Sequence, residues 1–105
     1  MTVNNIIIQE EKLNEICSNF SIKELSLFGS ALRSDFSSES DIDLLVEFKL
    51  ESGISLFDLV DLKKEFEKVF GREVDIVSKT AIKRSRNHLR RKGILENYKV
   101  IYASW

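Results

Sequence analysis

Proline is absent from the 105 residues, and cysteine, histidine and tryptophan occur once each. The lone Cys17 excludes an internal disulfide and a cysteine-based metal site, and it fits a reducing cytoplasm. The lone His88 has no imidazole partner for a metal and reads as a surface residue. No apolar run approaches the ~20 residues that a membrane helix needs. Ile6, Ile7 and Ile8 are too few for a signal-peptide core, and no basic residue precedes them. Charge of one sign is also missing: the formal net charge is −1, which excludes a global field drawing the chain to nucleic acid or membrane. There is no linker, internal repeat or low-complexity tract. The length predicts one domain over 1–105 and is too short for two.

What is present is ordinary globular composition, 43% apolar and 31% charged. A chain of this size buries roughly two-thirds of its unfolded surface, so a core is feasible. Apolar residues at helical spacing predict a first helix over 5–19, with Cys17 on its core face. Ile22, Leu25, Leu27 and Phe28 read as a strand ending at Gly29, and residues 30–33 as a short helical turn. The polar stretch 34–40 reads as a loop. Residues 41–48 form a strand buried on at least one face. Ser55 opens a helix with Asp58 three residues on, a variant capping box. Leu56, Leu59, Val60, Leu62, Phe66, Val69 and Phe70 give it an apolar face, and Gly71 ends it. A short strand at 74–77, a basic helix over 80–92 and a strand at 98–103 complete an α-β-β-α-β-α-β order. That is an α/β or α+β domain.

Two residues break the pattern of the strand at 41–48. Asp41 and Asp43 lie two apart and so project to one side. Two carboxylates ~6 Å apart repel by about 3 kcal/mol at an effective dielectric near 20. A fold keeps such a pair where a cation bridges it, and aspartate oxygens suit Mg²⁺, which takes one or two carboxylates plus substrate phosphates. Asp75, in "REVDIV", is a third charge inside a short apolar strand. If the two strands are neighbours, the three acids could hold two divalent ions. Gly29 at a strand-to-turn junction lets a phosphate approach the backbone, and the amides that follow favour an anion. Ser30 adds a hydroxyl, and Arg33 adds either positive charge or no more than a surface arginine. The basic run Lys83, Arg84, Arg86, His88, Arg90, Arg91 and Lys92 lacks interleaved aromatics, so direct nucleic-acid binding is not indicated. It reads as a solvated helix face, with an acidic partner or nucleotide phosphates as alternatives. Trp105, at the last position, reads either as disordered or as packing on a partner.

Gly29 and Ser30, ten residues, then Asp41-Ile42-Asp43 resembles the Gly-Ser-x10-Asp-x-Asp signature of the DNA polymerase β-like nucleotidyltransferases. The run "LFGSALRSDFSSESDIDLLVEF", the leucine-rich helix and "GREVDIV" are similar to the minimal nucleotidyltransferase (MNT, MntA-like) group over about residues 20–103. The resemblance implies a nucleotidyltransferase fold, a small mixed sheet flanked by helices. It matches Gly29 and Ser30 to the phosphate-binding pair, Arg33 to an arginine of that loop, Asp41 and Asp43 to the metal ligands and Asp75 to the third carboxylate. Ala31 departs from relatives with a basic or bulky residue there. It further implies Mg²⁺, two ions, with ATP as substrate, and an antitoxin that transfers AMP to a tyrosine of a HEPN-domain toxin partner. Two rival readings are an idle antitoxin that neutralises by stoichiometric binding and a transferase for a small molecule or an RNA end.

Overall fold

The computed structural model describes residues 2–4, 6–33 and 40–104. Trp105 and nearly all of the loop expected over 34–40 lie outside the described residues. The chain opens with a miniature antiparallel hairpin, β1 (Thr2–Val3) and β2 (Ile6–Ile7). Here the first expectation is corrected. The helix starts not near residue 5 but at Glu10, as α1 (Glu10–Asn19). Three consecutive β-branched isoleucines favour extended backbone, and Ile6 and Ile8 reach the core from it. β3 (Ile22–Phe28) runs into a 3₁₀ turn, Gly29–Leu32. β4 (Ile42–Phe48) is followed by α2 (Leu56–Phe70) and β5 (Val74–Ser78).

The basic helix expected over 80–92 is two helices, α3 (Lys79–Lys83) and α4 (His88–Glu96). Polar side chains divide them. The Ser85 hydroxyl accepts the Asn87 amide at 3.2 Å, and Asn87 caps α4 by accepting the Arg90 amide at 3.1 Å. Such local bonds compete with a continuous helix. β6 (Tyr98–Ala103) closes the chain.

The main sheet has the order β5-β4-β3-β6. β3 is antiparallel to both neighbours, whereas β4 and β5 run parallel and are joined by the α2 crossover. Alternation along the strands sorts two cores. Leu25, Leu27, Ile42, Leu44 and Val46 pack on one face with Leu13 and Ile16 of α1 and Leu62 and Phe66 of α2. On the other face Phe28 and Leu45 pack with Ile82 of α3 and Ile94 of α4. Asp43, one residue from Leu44, belongs to the α3–α4 face. Among the described residues no helix is long and apolar enough to cross a membrane.

Candidate active site

Strand register assembles the site. β4 and β5 pair with Asp43 directly opposite Asp75. Paired residues on neighbouring strands share a face, so the two carboxylates stand together. Asp41, just before β4, adds its charge: both Asp75 and Asp41 act coulombically on Asp43. The strand–turn junction closes from the β3 side. Phe28 is opposite Asp43 across the antiparallel pair, and the next residue, Gly29, has φ +63°. A Cβ at Gly29 would lie 2.5 Å from the Asp43 carboxylate. Backbone conformation and lack of space therefore both require glycine.

The Ser30 hydroxyl donates to the Asp41 carbonyl at 3.2 Å and toward Oδ2 of Asp43 at 3.5 Å. Partial burial pushes the Asp43 carboxyl above its usual range. The Ser30 amide and hydroxyl oppose that shift, and Asp75 and Asp41 add to it. An acid kept uncomfortable by two like charges, with every donor atom a hard oxygen, fits a divalent cation. Among the described residues no three acid, histidine or cysteine side chains come together as a group that could by itself hold a metal ion. The aspartates share a face and a sheet end rather than a focus. A Mg²⁺ held there would take one or two of these carboxylates and draw the rest of its shell from water and phosphate oxygens.

Of the residues singled out in the sequence, Gly29, Ser30, Asp41, Asp43 and Asp75 are brought to one end of the sheet. Arg33 caps the 3₁₀ turn and is exposed. Cys17 is buried in the core, where burial pushes its thiol up to about 12. His88 is exposed, beside the Arg91 guanidinium.

Other supporting residues gave no sign in the sequence. The Asn4 side chain donates to the carbonyls of Ala31 and Arg33, at 3.0 and 2.7 Å, and so staples the turn to the N-terminal hairpin. Arg72 donates to the Ser40 carbonyl at 3.2 Å, beside Asp41. Lys79 is buried among Glu24, Glu47 and Tyr98. These contacts span long stretches of chain and leave no local pattern to read.

Comparison with known proteins agrees with this geometry. The model of the nucleotidyltransferase domain family matches residues 10–102. The chain belongs to that family. A protein of Methanocaldococcus jannaschii, named among the protein adenylyltransferases, is 43% identical over 82 residues, 78% of this chain and 83% of its own. A solved structure described as a minimal nucleotidyltransferase superposes with a TM-score of 0.69 at 30% identity. It covers 93% of this chain and 94% of that one. A complex of a tri-AMPylated Shewanella oneidensis HEPN toxin with its MNT antitoxin shares the fold, with a TM-score of 0.57 at 18% identity over 90% of this chain and 70% of that one. The nucleotidyltransferase is thus of the minimal, protein-adenylyltransferase kind, with the mixed sheet and flanking helices expected of it.

Proposed function

We propose that this nucleotidyltransferase moves AMP from ATP to a tyrosine hydroxyl on a HEPN-domain toxin and so acts as the antitoxin of the pair. We take 1–105 as one catalytic unit working in the cytoplasm, where its buried thiol suits the reducing conditions. The observation that carries the reading is the parallel register that sets Asp75 opposite Asp43, on the face where Gly29 closes against the same carboxylate.

Asp41, Asp43 and Asp75 would hold Mg²⁺, which when bound neutralises charge on the phosphates. The Ser30 amide and hydroxyl, now turned to Asp43, are the donors for which the β- and γ-phosphate oxygens compete. Asp75, exposed on the edge strand, takes the proton from the acceptor hydroxyl. The acceptor oxygen attacks the α-phosphorus in line, the bond to the bridging oxygen breaks, and pyrophosphate leaves. A protein acceptor is supported by the setting of Asp75, which lines an open groove with Leu56, Leu59 and Val60, where Leu56 and Val60 are exposed.

The test incubates the protein with labelled ATP, Mg²⁺ and the product of its neighbouring gene. Label on a tyrosine of that product is expected, with a fall of about a thousandfold or more for Asp41→Ala/Asp43→Ala. Full neutralisation of the toxin by the double variant, without label, sinks the proposal in favour of stoichiometric binding. Label on a small molecule or an RNA end sinks the choice of acceptor.

A further inference from the structure

Asn4 follows β1 directly, at the bend of the N-terminal hairpin. Its backbone takes φ +47°, the left-handed region that asparagine tolerates better than most residues with a side chain. The side chain reaches away from the hairpin to the 3₁₀ turn. Its amide nitrogen donates to the carbonyls of Ala31 at 3.0 Å and Arg33 at 2.7 Å. An asparagine amide has two hydrogens to give, one for each of these acceptors. The acceptors are of the kind that a helix end leaves without a partner. The closing backbone bond of the turn runs from the Arg33 amide to the Ser30 carbonyl at 3.0 Å, and Asn4 takes carbonyls that lie beyond it.

Elsewhere on the same turn the Ser30 hydroxyl meets the Asp41 carbonyl and the Asp43 carboxylate. The turn is therefore gripped twice, by Ser30 at the aspartates and by Asn4 at its last carbonyls. The hairpin does not depend on these bonds to stay in place. Val3, Ile6 and Ile8 are buried in the main core, and the Gln9 side chain donates to the Val69 carbonyl at 2.9 Å. The turn has less to hold it. It starts at Gly29, which has no side chain to anchor it, and it fully buries only Ala31. Support thus runs from the hairpin to the turn.

We infer that Asn4 is a positioning residue for the reaction: from the hairpin its amide fixes the Gly29–Leu32 turn, so that Ser30 stays aimed at the end of the sheet where the aspartates meet. The inference rests on the nucleotidyl-transfer reading. It adds a brace from a segment ahead of residues 10–102, the span that the family model matches.

Two variants separate the side chain from the backbone. Asn4→Gly keeps the left-handed bend easy and removes the amide. Asn4→Asp keeps the size of the side chain but sets a carboxylate against two carbonyls. Position 4 is exposed, and urea midpoints close to the parent's are expected. The probe is a non-hydrolysable ATP analogue with Mg²⁺, titrated calorimetrically into the whole protein, with AMP as the control ligand. Each variant should weaken the analogue about tenfold, the scale of one or two neutral hydrogen bonds. AMP, which lacks the β- and γ-phosphates, should bind as before. Hydrogen exchange should quicken at the Arg33 amide and keep the parent's rate in β3 and β4. Unchanged analogue affinity in Asn4→Gly overturns the inference, even if Arg33 exchanges faster. So does a loss in Asn4→Asp alone, which would trace to the added charge. An equal loss for AMP, or a matching fall in the urea midpoint, overturns it as well, since Asn4 would then support the fold at large. A parent that binds neither ligand sinks the nucleotidyl-transfer reading and the inference with it. A parent that binds the analogue, with variants that bind it equally, sinks the brace alone.

Discussion

Asp43 is the residue on which stability and the proposed chemistry pull in opposite directions. Burial, Asp75 and Asp41 raise its carboxyl above the ordinary 3.8, and the Ser30 donors only partly offset them. A raised carboxyl pKa means that the fold prefers the protonated form. The stability this provides is fully present below pH 3.8 and is lost as pH rises through the raised value. At pH 7 the metal-free protein therefore holds a charge it would rather discard. In chelator, Asp43→Asn should stabilise the protein at pH 7 by up to about 1 kcal/mol, a small figure because the carboxyl is only partly withdrawn from water. Urea melts should show that gain disappearing toward pH 3.5, whereas a gain that persists in acid would point to packing instead. At this scale the site was largely legible. Gly29, Ser30, Asp41 and Asp43 are fixed by spacing within one stretch, and Asp75 stood out as a charge in an apolar strand. Arg90 was read as part of a solvated basic run, and it is exposed.

Elements were readable where their ends are written locally. α2 begins and ends where its caps predict. Ser55 and Asp58 exchange bonds at 2.9 and 3.3 Å, and Gly71 takes the left-handed conformation that closes the helix. Ser55→Ala should cost about 1 kcal/mol in chemical denaturation. α1 and the α3–α4 pair were misread at their boundaries because periodicity outweighed punctuation. The isoleucine run pairs with Thr2 and Val3 instead of starting a helix. The Ser85 and Asn87 side chains take up amides that a continuous helix would have used. Asn87 was the available signal, an N-cap residue lying inside a basic run.

At the scale of the whole molecule, Lys79 ties together strands that no local pattern connects. From the start of α3 its ammonium reaches Glu24 of β3 at 3.0 Å, Glu47 of β4 at 3.7 Å and the hydroxyl of Tyr98 in β6 at 3.2 Å. It also lies 4.7 Å from the centre of the Tyr98 ring. Burial opposes its charge, yet the bonds it donates to Glu24 and Tyr98 win and raise its pKa. The contribution of this cluster is therefore complete below pH 10.5 and fades as pH climbs through the raised value. Lys79→Met should destabilise the fold by about 2–4 kcal/mol, because Glu24 loses its cation and the facing Glu47 keeps only Lys23, at 3.9 Å. A thermal melt within 1 °C of the parent would refute that.

The parallel pairing of β4 and β5 also works as a safeguard against assembly errors. Sliding one strand past the other by a single position would turn residue 75 inward and force its carboxylate into the oily layer beneath α1 and α2. Folding errors that would separate Asp43 from Asp75 are thus the ones the hydrophobic interior rejects. A chain that reaches its native stability has already set these two carboxylates side by side.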